Sequence, residues 1–238
     1  MKRAASRALA GVLFSALIVA ALATTASLAT PASSTRQEDT IARFLQSGQP
    51  PLVAYRARRH LEASSRGGRV TGQLDAWTTL SPDGTFSFEV VQESGSGLIR
   101  ERVLHAALKE EQDNYRNDRL ADSAFTRDNY DFLIDESVRE GNFVRIGLAP
   151  RRKSQVLIAG SALVRREDAD LVQIEGVLSK RPSFWTRRVQ MVRHYSRIAG
   201  VRVPTELQLN ADVRLVGDST FAMTYQYDTI NGHPIATN

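Results

Sequence analysis

The sequence predicts an α+β protein built on a curved antiparallel sheet, an unclosed β-barrel of about ten to eleven strands with helices on its concave side. Three observations predict it. Apolar and polar residues alternate with a period of two through most of the chain after residue 50. Only two segments, one before the first strand and one after the third, carry helical spacing. The connections between runs are short and marked by Gly, Pro and Asp, so successive strands return as hairpins. So many twisted strands curl, and two helices are too few to cover the apolar face, which leaves a greasy concave interior.

The N-terminus precedes that fold. Lys2, Arg3 and Arg7 lead into the uncharged stretch Gly11 to Ala23, followed by small-residue sites at Ala21-Leu22-Ala23, Thr24-Thr25-Ala26 and Ser27-Leu28-Ala29. That pattern predicts a secretory signal peptide cleaved between Ala23 and Ala32, because the apolar run falls short of the roughly 20 residues that span a bilayer. The expected organisation is a signal peptide over 1–29, a linker and N-terminal helix over 30–50, a half-barrel domain over 51–232 and a tail over 233–238. The expected location is the periplasm, with peripheral membrane contact at most.

Along the mature chain, Ile41, Phe44 and Leu45 share one side of a short helix over 37–46 that ends at Ser47-Gly48. The first strand is expected from Val53 through Ala63, its Val53, Tyr55, Ala57, Leu61 and Ala63 alternating with Arg56, Arg58, His60 and Glu62. Arg66-Gly67-Gly68 turns it into a second strand over 70–80, and Ser81-Pro82-Asp83-Gly84 turns that into a third through Phe86, Phe88 and Val90. Gly95-Ser96-Gly97 breaks the ladder. Leu98, Ile99, Val103, Leu104, Ala107 and Leu108 then recur at the spacing of the strongest helix in the chain, ending near Tyr115. Strands resume at 130–134, 143–149, 155–164 and 171–178, the last two joined by a charged loop, 165–170, that reads as a solvated turn. Residues 184–198 fit a strand better than a helix. Gly200 and Pro204 punctuate the chain before a clean strand from Thr205 to Leu215 and a last one through Phe221, Met223, Tyr225 and Tyr227.

Composition narrows the function classes. The 238 residues carry 31 Lys+Arg against 26 Asp+Glu, a formal charge of +5 that falls near +2 once the three basic residues of the leader are removed. Basic residues are spread along the chain rather than gathered on one element, so no nucleic acid is expected. There is no cysteine, which excludes disulfides, thiolate catalysis and a cysteine-linked lipid anchor. His60, His105, His194 and His233 show no metal spacing. Gly95-Ser96-Gly97 lacks the Gly-x-Ser-x-Gly elbow of a serine hydrolase. Glu110-Glu111 and Asp168/Asp170 read as solvated charge at a helix end and a hairpin tip. No catalytic residue, cofactor or metal is expected. Arg151-Arg152-Lys153 and Arg187-Arg188, with Arg193 and Arg197, read as solvent-facing strand decoration, with lipid headgroups or an acidic partner as the functional alternative.

The signal peptide, N-terminal helix, long first hairpin, glycine break before an arginine-rich helix (Ser94 to Leu104), the segment from Ser183-Phe184-Trp185 to Gly200-Val201-Arg202-Val203-Pro204 and the closing strand from Ser219 to Tyr227 together resemble the outer-membrane lipoprotein-sorting superfamily. That group includes a periplasmic lipoprotein carrier, its outer-membrane receptor and the sensor domain of certain anti-sigma regulators. The resemblance implies an eleven-stranded unclosed barrel, a helical lid and a hydrophobic cavity for acyl chains. It makes Trp77, Phe86, Phe88, Leu104, Leu108, Trp185, Phe221, Met223 and Tyr225 candidate cavity residues, and Arg100, Arg102, Arg187 and Arg188 candidate headgroup or partner contacts. The chain lacks the cysteine lipidated in the receptor. The carrier's lid-locking arginine matches no single position, since Arg43, Arg100 and Arg102 all sit on candidate helices. Two functions are implied: a non-catalytic carrier of a lipid or acylated lipoprotein, and an envelope sensor or interaction module that binds an inner- or outer-membrane protein partner.

Overall fold

A computed structural model describes residues 31–117, 119–134, 141–180, 186–213 and 217–236. The chain opens with helix α1 (Pro31–Gln46), followed by β1 (Tyr55–Ser65), β2 (Val70–Leu80) and β3 (Phe86–Gly95). A second helical segment comes next: α2 (Gly97–Ile99) runs into a π-helical stretch (Arg100–His105) and then α3 (Ala106–Arg116). A 3₁₀ turn (Arg119–Ser123) leads to β4 (Tyr130–Ile134), β5 (Phe143–Pro150), β6 (Ile158–Arg165), β7 (Leu171–Leu178), β8 (Thr186–Ile198), β9 (Val201–Val213), β10 (Gly217–Ile230) and β11 (His233–Pro234).

All strands belong to one antiparallel sheet in the order β3-β2-β1-β10-β9-β8-β7-β6-β5-β4, with β11 on β10. The sheet does not close: its path ends at β3 on one side and β4 on the other. Hairpins build it nearly throughout. The exception is the central pairing of β1 with β10, which brings the first and last long strands together. The expected unclosed, curved sheet is the one found.

Four differences from the sequence reading have physical causes. Helix α1 begins at Pro31 rather than 37, and proline is favoured at a first helical position because its missing N–H would have had no partner there. Strand β9 begins at Val201 and passes through Pro204. Its ladder with β10 stops at Glu206 and its ladder with β8 is irregular at His194/Tyr195, so proline interrupts little. The tail contributes a two-residue strand, β11. The 165–170 loop is not simply solvated: Ala169 and Asp170 are buried. Both Asp170 carboxylate oxygens take hydrogen bonds from Arg197 (2.9 and 2.6 Å), which also donates to the carbonyls of Ser47, Gln49 and Gly200.

The concave side holds two apolar clusters. Beneath α1, Ile41 and Phe44 pack on Tyr130, Ile146, Leu157 and Ile174 of the β4–β7 half, and the Phe44 ring meets Phe125 and Phe132 at 5.9 and 6.0 Å. This half is filled. Beneath helix 97–116, Ile99, Leu104 and Leu108 pack on Leu61, Leu74, Phe86, Met223 and Tyr225 of β1–β3 and β10. Close strand approach in the first half depends on Gly160 and Gly176, which face each other across β6 and β7. A Cβ on Gly160 would lie 2.0 Å from the Glu175 carbonyl oxygen.

Candidate ligand-binding cleft

Strand alternation determines what faces the concave side. On β1, Tyr55, Ala57, Arg59, Leu61 and Ala63 point inward and are buried, while Arg56, Arg58 and Glu62 point outward. Arg59 therefore lies in the middle of an apolar row, only 1% exposed. An enclosed charge must be compensated. Glu111 of α3 does this, accepting from Arg59 Nη1 at 2.5 Å and from Nη2 at 3.0 Å. Nη2 also donates to the Tyr55 hydroxyl at 2.5 Å. The guanidinium sits 4.6 Å from the Tyr225 ring centre and 5.4 Å from that of Phe86, a favourable cation–π setting. Burial opposes the charge on Arg59, but Glu111 more than restores it and the pKa is raised. The surrounding phenols move the same way: burial raises Tyr55 and Tyr227 and lifts Tyr115 to about 12.

A second clasp holds the other end of the helix. The β2–β3 ladder slips between Asp75 and Ala76, so that Val90 faces Ala76 while Gln92, not Val91, faces Asp75. This β-bulge inserts one residue and reverses the alternation. Glu93, which strict alternation would send outward with Ser87 and Glu89, points inward. Its carboxylate accepts from Arg100 Nη1 and pairs with His105 Nε2 at 2.7 Å. The His105 hydrogen bond and the Arg100 charge hold the Glu93 carboxyl below its ordinary range. The helix thus carries an acid that grips the sheet at one end and a basic pair gripped by the sheet at the other. The π-helical stretch lies between Ile99 and Ala106, where a wider turn alters the phase of the packing face. Gly72 permits the contact, since a Cβ there would lie 2.8 Å from Ile99 Cγ2.

Between this helix and strands β8–β10 lies a cleft of about 550 Å³, within the usual range for small-ligand sites. Its floor is Leu207, Leu209, Phe221, Met223 and Tyr225, and its helix wall includes Val103, Ala106 and Ala107. Arg102, Asn114 and Glu110 stand at the helix side, and Arg193 of β8 borders the sheet side.

The candidate residues divide as follows. Phe221, Met223 and Tyr225 line the cleft. Phe86, Leu104 and Leu108 are buried in the adjoining cluster, and Phe88 packs against it half-buried. Trp77 is not brought there. It pairs with Arg58 on the outer face and lies under the Arg56 guanidinium at 3.9 Å. Trp185 lies outside the described residues. Arg102 reaches the cleft, whereas Arg100 is committed to Glu93. Arg188 is exposed on the outer face opposite Asp212; Arg187 is on β8. Arg151 pairs with Asp131, and Arg152 with Asn129 and Asp122. Glu110 is exposed as expected, but Glu111 is not a solvated acid.

The histidines do not converge. His60 pairs with Asp75 at 2.9 Å on the outer face, where Gln92 also donates to Asp75 at 2.6 Å. Burial works to raise the Asp75 pKa, but these hydrogen bonds outweigh it and the net shift is downward. Among the described residues, no three metal-ligating side chains come together.

No protein family matches the chain by sequence, and no curated protein does. Among solved structures, it is similar to a LolA superfamily protein from Nitrosomonas europaea, at 10% identity and a TM-score of 0.44 over 85% of this chain and 94% of that one. It is also similar to a DUF1329 family protein from Desulfovibrio piger, at 12% identity and a TM-score of 0.43, covering 82% and 93% of the two chains. A third similarity is to the MucA/MucB complex of Pseudomonas aeruginosa, at 10% identity and a TM-score of 0.24, covering 85% and 100%.

Proposed function

We propose that the protein is a non-catalytic periplasmic binding protein that holds acyl chains of a lipid or lipoprotein, serving outer-membrane lipoprotein sorting or lipid transport. The observation that carries this reading is the cleft, an apolar floor of five side chains from β9 and β10 under a helix that packs Ile99, Leu104 and Leu108 on the sheet and is clasped to it by ion pairs at both ends. Burial of an acyl chain there gains about 0.8 kcal/mol per methylene. The helix is the lid, and Arg59–Glu111 and Glu93–Arg100/His105 are its fastenings. Exchange of cargo requires those contacts to loosen.

The filled half beneath α1 favours a second reading, an envelope sensor or interaction module in which the sheet serves chiefly as scaffold for a protein partner. Native mass spectrometry of the mature protein purified from cells that export it separates the two. A stoichiometric acylated ligand recovered by organic extraction supports the carrier; an empty protein that also refuses added acyl chains eliminates it and leaves the interaction module.

A further inference from the structure

Resting on the acyl-binding reading, the geometry points to a ligand with a carboxylate head, a single-chain fatty acid whose carboxylate is held by Arg193. Arg193 stands opposite Leu207 in the β8–β9 ladder, in phase with Val189, Met191 and Tyr195, and so faces the concave side. It borders the cleft, and its Nε, like those of Arg59 and Arg100, is enclosed without a hydrogen-bond partner. No ion pair or hydrogen bond occupies its guanidinium among the described residues; its neighbour is the Tyr195 ring, 5.6 Å away. The nearby acid is already used, since both Glu111 oxygens bind Arg59.

Contrast with the other inward arginines gives this its force. Arg59 has Glu111 and Arg100 has Glu93. Arg193 alone of the three has no acid in direct ion-pair contact; Glu111 lies near enough to favour its charge, but a guanidinium beside apolar surface still gains from a directly bonded partner. A fork of N–H donors matches a carboxylate in two parallel bonds. The cleft, about 550 Å³, lies within the range of small-ligand sites and has room for a single chain. Charge complementarity and size therefore converge on a long-chain carboxylate lying along Leu207, Leu209 and Met223 with its head at Arg193.

The test uses palmitate and its neutral methyl ester as probes, titrated below their aggregation limits against the mature protein and against Arg193→Gln and Arg193→Lys. Wild type is expected to bind palmitate roughly tenfold or more tightly than the ester, as a charge-assisted pair implies. Arg193→Gln should keep ester affinity and lose the preference, while Arg193→Lys retains part of it. Equal binding of acid and ester by wild type, or a preference that survives in Arg193→Gln, overturns the headgroup assignment alone. Failure of both probes to bind overturns the acyl-binding reading and this inference with it.

Discussion

Glu111→Gln removes one charge while keeping the side chain's shape, and so isolates what the lid fastening contributes. Arg59 is left with its charge but only 1% of its side chain exposed, among Tyr55, Phe86 and Tyr225. Breaking one side of a buried pair typically costs about 3–5 kcal/mol. Glu111 is 28% exposed, and glutamine still accepts a hydrogen bond, so the lower end applies, about 3 kcal/mol. For a domain of this size that lowers Tm by roughly 6–12 °C. Arg59→Met leaves Glu111 partly solvated and should cost less, about 1–2 kcal/mol. The double variant has no stranded charge and should fall within about 1 kcal/mol of wild type, because methionine replaces the buried guanidinium with apolar volume and the glutamine amide, like the partly exposed Glu111 carboxylate it replaces, reaches water. Urea denaturation followed by circular dichroism gives all four corners of the cycle. A Glu111→Gln loss under 0.5 kcal/mol, or single costs that simply add in the double variant, would refute the reasoning.

Acid should loosen the other clasp. The folded Glu93 pKa is lowered, so its contribution is present above the unfolded carboxylate value, ~4.3, and is lost as pH falls through the lower folded value. Urea midpoints measured from pH 7 to pH 3 should fall less steeply in Glu93→Gln than in wild type; parallel curves would count against the clasp. Gly160→Ala should be destabilising by at least the upper end of about 1–3 kcal/mol, since its Cβ meets the Glu175 and Gly176 backbone rather than a movable side chain. A midpoint unchanged in the same urea assay would contradict that close approach. Trp77→Ala should leave acyl-chain affinity within twofold of wild type, because Trp77 lies on the outer face, whereas Met223→Asp should abolish it. Loss of binding in folded Trp77→Ala would place the ligand on the wrong side of the sheet.

Much of this was legible in the alternation itself. β2, β4 and β7 fall where Val70–Leu80, Tyr130–Ile134 and Leu171–Leu178 alternate. Arg59 was also visible, in phase with Tyr55, Ala57, Leu61 and Ala63, but an apolar pattern read by hydrophobicity passes over a charge in its own row. Glu111 follows Leu104 and Leu108 and precedes Tyr115 at helical spacing, so helix period rather than composition marks it as facing inward. Trp77 shows the converse error: it is large and apolar, yet Leu74, Ala76, Thr78 and Leu80 claim the buried phase and leave it outside. Glu93 could not be placed from sequence. Its inward direction depends on the slip at Asp75/Ala76, which arises from strand pairing and leaves no composition signal.

The central claim is that an acyl chain lies between helix 97–116 and strands β8–β10. Photocrosslinking with a diazirine-bearing palmitate, followed by peptide mapping, tests it most directly. The account predicts adducts on Val103 to Ala107 and on the segments around Leu207–Leu209 and Phe221–Tyr225, competed away by unlabelled palmitate. Adducts confined to the outer face around Trp77, or to the filled half around Phe44, would contradict it.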